Sequence, residues 1–268
     1  LFHLPERFVP AYYVELDLAD VSGTDGAMNS FVVSAHDGAI LFRNDLTASD
    51  ATTYRVWAEN ESPFRPFDGP QGNDASPHPT GVPNGYQAPF IPQGLVALEN
   101  GPIGTNDPWL ASGSTQTVGN NVDAYADLSA PDGYSAGDLR ATTTSAGVFD
   151  WTYDPSQAPN ASQNQIMAAT TQLFYDVNFF HDWYYDAGFT EAAGNAQSNN
   201  YSRGGIELDP LHAEAQDYGG TNNANMSTPA DGASPRMQMY VWTPRTTHTV
   251  TVPPPGAFYA HGTAAFGP

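Results

Sequence analysis

Residues 162–188 read SQNQIMAATTQLFYDVNFFHDWYYDAG. Ile166, Thr170, Leu173, Phe174, Val177, Phe180 and Tyr184 fall three or four positions apart, the repeat of a helix with one buried face. Asn160 or Ser162 can cap its start by accepting from the first orphaned N–H groups. Gly188 can close it in the left-handed conformation that side chains resist. The spacing predicts one long helix over residues 162–187.

Outward from the helix, the pattern changes to period two. Residues 8–45 read as antiparallel strands. Tyr12 to Leu18 alternates apolar and acidic side chains, as a half-buried strand does, and His36-Asp37-Gly38 is a turn between two apolar runs. That unit ends near Leu46–Asp50. Thr53–Trp57 reads as a further strand, and the Pro- and Gly-rich stretch to residue 145 as short strands joined by long ordered loops. Residues 190–235, rich in Asn, Gly and Asp, read as irregular; Arg236–Trp242 alternates as a strand. The remainder, with Pro253-Pro254-Pro255, reads as an edge strand or the opening of another module.

Composition removes several function classes. Eight basic residues against 29 acidic ones give a formal charge of −21, so phosphate backbones and anionic membrane surfaces are repelled. The surplus is either a solubilising surface or, in part, a set of oxygen ligands for calcium. With no cysteine, disulfides and thiolate metal sites are excluded. No stretch approaches the roughly 20 apolar residues of a membrane span. The start at Leu1–Glu6 carries no leader pattern, and both ends read as those of a processed or truncated piece.

Two blocks carry a family resemblance. One runs Thr171-Gln172-Leu173-Phe174-Tyr175, Asn178-Phe179-Phe180-His181-Asp182 and Tyr185 to Asn195; the other runs Gly220 to Asn225, Thr228 to Gly232 and Arg236 to Tyr240. Together they resemble the fungalysin-type, thermolysin-like secreted zinc metallopeptidases, most clearly over residues 150–242. The resemblance implies an α+β, β-rich fold: propeptide-like antiparallel strands, then the β-rich upper half of a thermolysin-like catalytic domain with one long helix. It also implies three segments. Residues 1–50 are the C-terminal part of a propeptide-like β unit, 51–242 the N-terminal β-rich part of the peptidase domain, and 243–268 a strand or the start of an inserted module. In that family two histidines one helical turn apart, with a glutamate between them, hold zinc and activate water as H-E-x-x-H. Here His3, His36, His78, His181, His212, His248 and His261 are never followed by Glu, and no two are four apart. No catalytic residue is therefore assigned, and zinc is expected on downstream polypeptide carrying H-E-x-x-H, the expected partner.

The resemblance places Asn223, Ala224 and Asn225 on a strand lining the substrate cleft; the same residues also suit a plain Asn/Gly turn. Glu207, Asp209 and Asp217, with Glu214 among them, are candidate calcium ligands from their proximity in sequence, or simply a wet acidic surface. Asp150 and Asp154 carry a weaker form of the same idea. Adjacent helical residues point about 100° apart, so His181 and Asp182 read as scaffold rather than a catalytic pair. The implied function is the N-terminal part of a secreted, extracellular zymogen whose completed form hydrolyses internal peptide bonds of proteins. The alternatives are a non-catalytic extracellular structural or assembly protein and, on the exposed aromatics, a carbohydrate-binding β-module.

Overall fold

The computed structural model describes residues 2–4, 7–18, 27–45, 51–70 and 90–243. The boundary near Leu46–Asp50, His78 and the 243–268 segment beyond Thr243, including its three prolines, lie outside the described residues.

The fold is β-rich around one long helix. The strands are β1 (Phe2–Leu4), β2 (Arg7–Val9), β3 (Ala11–Leu18), β4 (Ala27–Ser34), β5 (Ile40–Asp45), β6 (Thr52–Val56), β7 (Gly94–Leu98), β8 (Val122–Ala126) and β9 (Val148–Phe149). Helix α1 (Gln163–Asp186) follows, then β10 (Leu211–Thr221), β11 (Ala224–Ser227) and β12 (Arg236–Val241). They make a two-stranded β1-β2 pair, the meander β3-β4-β5, the sheet β7-β6-β9 and a mixed sheet ordered β11-β12-β10-β8.

Ser162 caps α1, its side chain accepting from the Gln165 N–H, and Gly188 follows the last turn with φ +110. The face that α1 buries is rotated from the expected stripe. Ile166, Thr170, Phe174 and Val177 are inside, but Phe180 and Tyr184 are exposed by 52% and 57%. Asn178, Asp182 and Tyr185 are buried in their place. The polar members are tolerated because each finds partners: Asn178 Oδ1 accepts from Asn121 Nδ2, and Asp182 receives several donors.

The core lies where α1 packs on β6, β8 and β10. Tyr54 of β6 stacks on Phe149 of β9 with ring centroids 5.6 Å apart, and Trp109 meets Tyr175 edge-on at 5.2 Å. Val56, Val96, Val122, Ala124 and Ala213 fill the space between them. Fully burying side chains of this kind stabilises by about 1.5–3 kcal/mol each.

Two expectations need correction. Strand β3 is not half-buried: Tyr12, Tyr13, Val14 and Leu16 are all exposed. The 190–235 stretch is not irregular throughout, since it contains β10 and β11. Strand β10 escapes a hydropathy reading because its buried positions are small or acidic, namely Ala213, Glu214, Ala215 and Asp217.

Candidate functional site: an edge strand and an acidic cluster on one sheet

Strand β12 runs parallel to β10 and antiparallel to β11, so among the described residues the last strand in sequence sits inside the sheet and β11 forms its edge. Asn222, at φ +55, makes the tight turn between β10 and β11 and clasps Thr243 on both sides. All four β11 residues are exposed. The Asn223 carbonyl accepts from Tyr240 N, 3.2 Å away on β12. Strand backbones alternate sides, so the N–H and C=O of Ala224 and Met226 turn outward, away from β12. The Asn225 side chain points back over the sheet, donating to Gln238 Oε1 (2.9 Å) and Tyr240 Oη (2.7 Å). Of the three sequence candidates, Ala224 thus offers outward backbone, Asn223 an exposed side chain, and Asn225 a side chain committed to β12.

The same sheet face gathers carboxylates. The β10–β12 pairing slips by one residue at Gln216, which adopts φ +50: Ala215 pairs with Met239 and Asp217 with Tyr240. Residues three apart on a regular strand face opposite ways. The extra residue restores the phase, putting Asp217 on the same face as Glu214. On β8, Tyr125 pairs with Glu214. Asp127, two residues after Tyr125, continues that face, and the 128–138 loop folds back to bring Asp132 over it. Ligand oxygens of Asp127, Asp132, Glu214 and Asp217 lie within 4.8 Å of one another. The loop is knitted by Asp138, which accepts from Leu128 N, Ser135 N and Ser135 Oγ.

Within the cluster, Tyr125 Oη donates to Glu214 Oε1 at 2.8 Å and Gly133 N to Asp127 Oδ2 at 2.9 Å. Gln238 Nε2 donates to Asp132 Oδ1 (2.9 Å) and Asp217 Oδ2 (2.6 Å), while Gly219 N reaches Asp217 Oδ1. Arg236 pairs with Asp132, and its Nε stands 3.9 Å from Glu214 Oε2. Burial pushes the Glu214 carboxyl up to about 7, Asp217 and Asp132 adding to the rise. Burial likewise lifts Asp127 to about 6 against the opposing Gly133 N–H, with Asp138, Asp217 and Asp132 raising it further.

Glu207 and Asp209 do not join Asp217. Glu207 is exposed and accepts from Asn200 N; Asp209 is buried and splits its two oxygens between Gln197 N and Gly232 N, pinning two loops. Asp150 pairs with Arg55, and Asp154 closes a turn onto Ser156 and Gln157. His181 Nδ1 lies 3.1 Å from Asp182 Oδ1, so these neighbours do touch, the imidazole leaning over a carboxylate that reaches sideways into a loop.

Among the described residues, the acidic cluster is the one group of His, Asp or Glu close enough to share an ion. Its donors are all carboxylates, whereas the catalytic zinc that the resemblance implies needs paired imidazoles. His3 lies on β1, His36 in the turn between β4 and β5, His181 on α1 and His212 on β10, and no histidine joins a ligand group among the described residues. The residues described do not fit zinc.

Residues 91–251 match the family model described as Fungalysin metallopeptidase (M36). The chain belongs to this family. Among curated proteins, this fungalysin is 44% identical over 138 residues to the extracellular metalloproteinase MEP of Pyricularia oryzae. It is 43% identical over 138 residues to extracellular metalloproteinase 5 of Trichophyton rubrum. Each match takes in 50% of this chain and 21% of the relative, so the fungalysin chain spans about a fifth of the length of these relatives.

Between α1 and the sheet, near β12, opens a cavity of about 430 Å³ walled by Trp57, Phe67, Leu173, Tyr240 and Trp242. Asp176 lines it, its Oδ1 accepting from Gln172 Nε2, and burial pushes this carboxyl up to about 7. The folded chain therefore keeps a proton that the unfolded chain has released between about pH 4 and 7. The resulting penalty is absent in acid and complete above pH 7. The residue is only partly buried, so only part of the shift counts towards stability. Asp176→Asn keeps the Gln172 bond and should be more stable than wild type by about 1–3 kcal/mol at pH 8. In urea unfolding the difference should shrink to nothing towards pH 4.

Proposed function

We propose that this chain supplies the substrate-strand half of a secreted zinc endopeptidase. Zinc and the water-activating glutamate come from polypeptide outside this chain. One observation carries the reading: in a fungalysin-family chain, the mixed sheet ends, among the described residues, in an exposed edge strand, β11, with backbone turned outward at Ala224 and Met226 that no other described strand pairs. An extended peptide adds to such an edge by main-chain hydrogen bonds. Asn223 then holds one further peptide group through its side chain, and Asn225 stiffens the strand through Gln238 and Tyr240. The edge aligns an internal peptide bond of a protein substrate, and the completing polypeptide performs the hydrolysis. Residues 1–50 act as the propeptide-like unit of a zymogen, with the peptidase part beginning at residue 51.

The test is cleavage of a quenched fluorescent peptide by the chain alone and by the chain joined to a downstream segment bearing H-E-x-x-H. The chain alone should be inactive and the joined form active. Asn223→Ala in the joined form should lose one hydrogen bond, roughly 5–10-fold in kcat/KM. Cleavage by the chain alone defeats the reading, and a folded but inactive joined form defeats it in favour of a non-catalytic assembly protein.

A further inference from the structure

The acidic cluster contains more buried negative oxygen than its own hydrogen bonds account for. Asp127 and Glu214 are fully buried and Asp217 is 1% exposed. Asp127 Oδ1 and Glu214 Oε2 have no hydrogen-bond partner, and both residues belong to the group from which one carboxylate oxygen each converges within 4.8 Å. A buried carboxylate oxygen facing other carboxylates is strongly unfavourable unless a cation stands between them. The protein cation at hand, Arg236, is spent on Asp132 and comes no nearer to Glu214 Oε2 than 3.9 Å. Gln238 neutralises nothing; it donates one N–H to each of Asp132 and Asp217.

The geometry points to a calcium site formed by Asp127, Asp132, Glu214 and Asp217. Calcium takes oxygen ligands at about 2.3–2.6 Å, so ligands across the ion stand up to about 5 Å apart, which the 4.8 Å spread satisfies. Magnesium demands near-ideal octahedra at about 2.0–2.1 Å and keeps its waters, a poor match to a cluster with three of its four carboxylates buried. Four carboxylates facing one arginine leave an excess of three negative charges, which a divalent ion largely offsets. The ion ties the 128–138 loop, through Asp132, to the bulged strand β10. Through Gln238 and Asn225 the same hydrogen-bonded chain reaches the edge strand. This site does not depend on the peptidase reading, since the binding requires only residues of this chain.

The experiment is isothermal titration of the metal-stripped 268-residue chain with calcium and with magnesium. Terbium emission, sensitised by Tyr125 at 2.8 Å from Glu214, provides a second reading. One calcium per chain should bind, saturating by calcium on the order of 1 mM, with terbium emission that calcium quenches by displacement. Asp127→Asn should weaken binding at least about tenfold, and Glu207→Gln should leave it unchanged. Absence of calcium uptake by the folded wild-type chain overturns the site, the buried oxygens then being neutralised by protons. So does loss of uptake in Glu207→Gln, or full retention in Asp127→Asn. Should Asp127→Asn misfold by circular dichroism, Asp132→Asn at the exposed rim of the cluster replaces it, with the same expected loss and the same overturning result.

Discussion

Replacing Arg203 with methionine should lower the folding stability by about 3–5 kcal/mol. That corresponds to a melting point lower by roughly 10 °C. The guanidinium is 6% exposed and is the hub of a buried network. Its Nη2 pairs with Asp107, its Nε donates to Glu191 Oε1 at 2.7 Å, and its Nη1 reaches the Arg43 carbonyl at 3.1 Å. The ring of Tyr201 lies 4.7 Å from the charge. The two carboxylates are each 2% exposed, and burial already pushes Asp107 above the usual carboxylate range. Removing the arginine strands both. The cost therefore lies in the charges left behind more than in the bonds lost. Adding Asp107→Asn and Glu191→Gln to Arg203→Met should recover a large part of the deficit, as strong coupling within one network requires. Equal melting curves for the single variant and wild type would refute the account.

Asp182→Ala should cost about 2–4 kcal/mol. From the second-last turn of α1, Asp182 Oδ2 accepts from Gly101 N at 2.8 Å and from Trp109 Nε1 at 2.7 Å, while Oδ1 faces His181 and Asn121. The side chain is wholly buried. Truncation leaves a backbone and an indole donor dry and unpaired, so the 99–109 loop should loosen from the helix. Asp182→Asn retains an acceptor and should lose clearly less. Hydrogen exchange at Gly101 is the local measure: faster exchange in the alanine variant is expected, and unchanged exchange would show that the carboxylate is not what holds the loop.

How much of this was legible follows the physics of each signal. The helix and both its ends could be read because caps and period are local. The identity of the buried face could not, since Asn178 and Asp182 are inside only by virtue of partners some 60 to 80 residues away in sequence. Strand β12 was visible in its alternation. Strand β10 was not, and β11 was reached only through the family resemblance, because Ala, Gly, Asn and acidic residues give no hydropathy contrast. At the acidic cluster, sequence proximity suggested Glu207, Asp209, Glu214 and Asp217. The fold kept Glu214 and Asp217 and replaced the others with Asp127 and Asp132. The deciding feature, a single extra residue at Gln216, lies in backbone conformation and leaves no mark in composition. The family blocks were legible because they combine both helix and sheet positions in order.

The spatial order β11-β12-β10-β8 differs from the chain order in a way that bears on biogenesis. As the polypeptide emerges, β10 can dock beside β8, but β11 has no neighbour to pair with until Arg236–Val241 has been made and slotted between them. The outermost strand is thus seated by a later one, a non-local pairing that ordinarily slows folding. A nascent chain stalled before residue 236 would display β10 as a bare border, open to adventitious strand pairing and hence to aggregation.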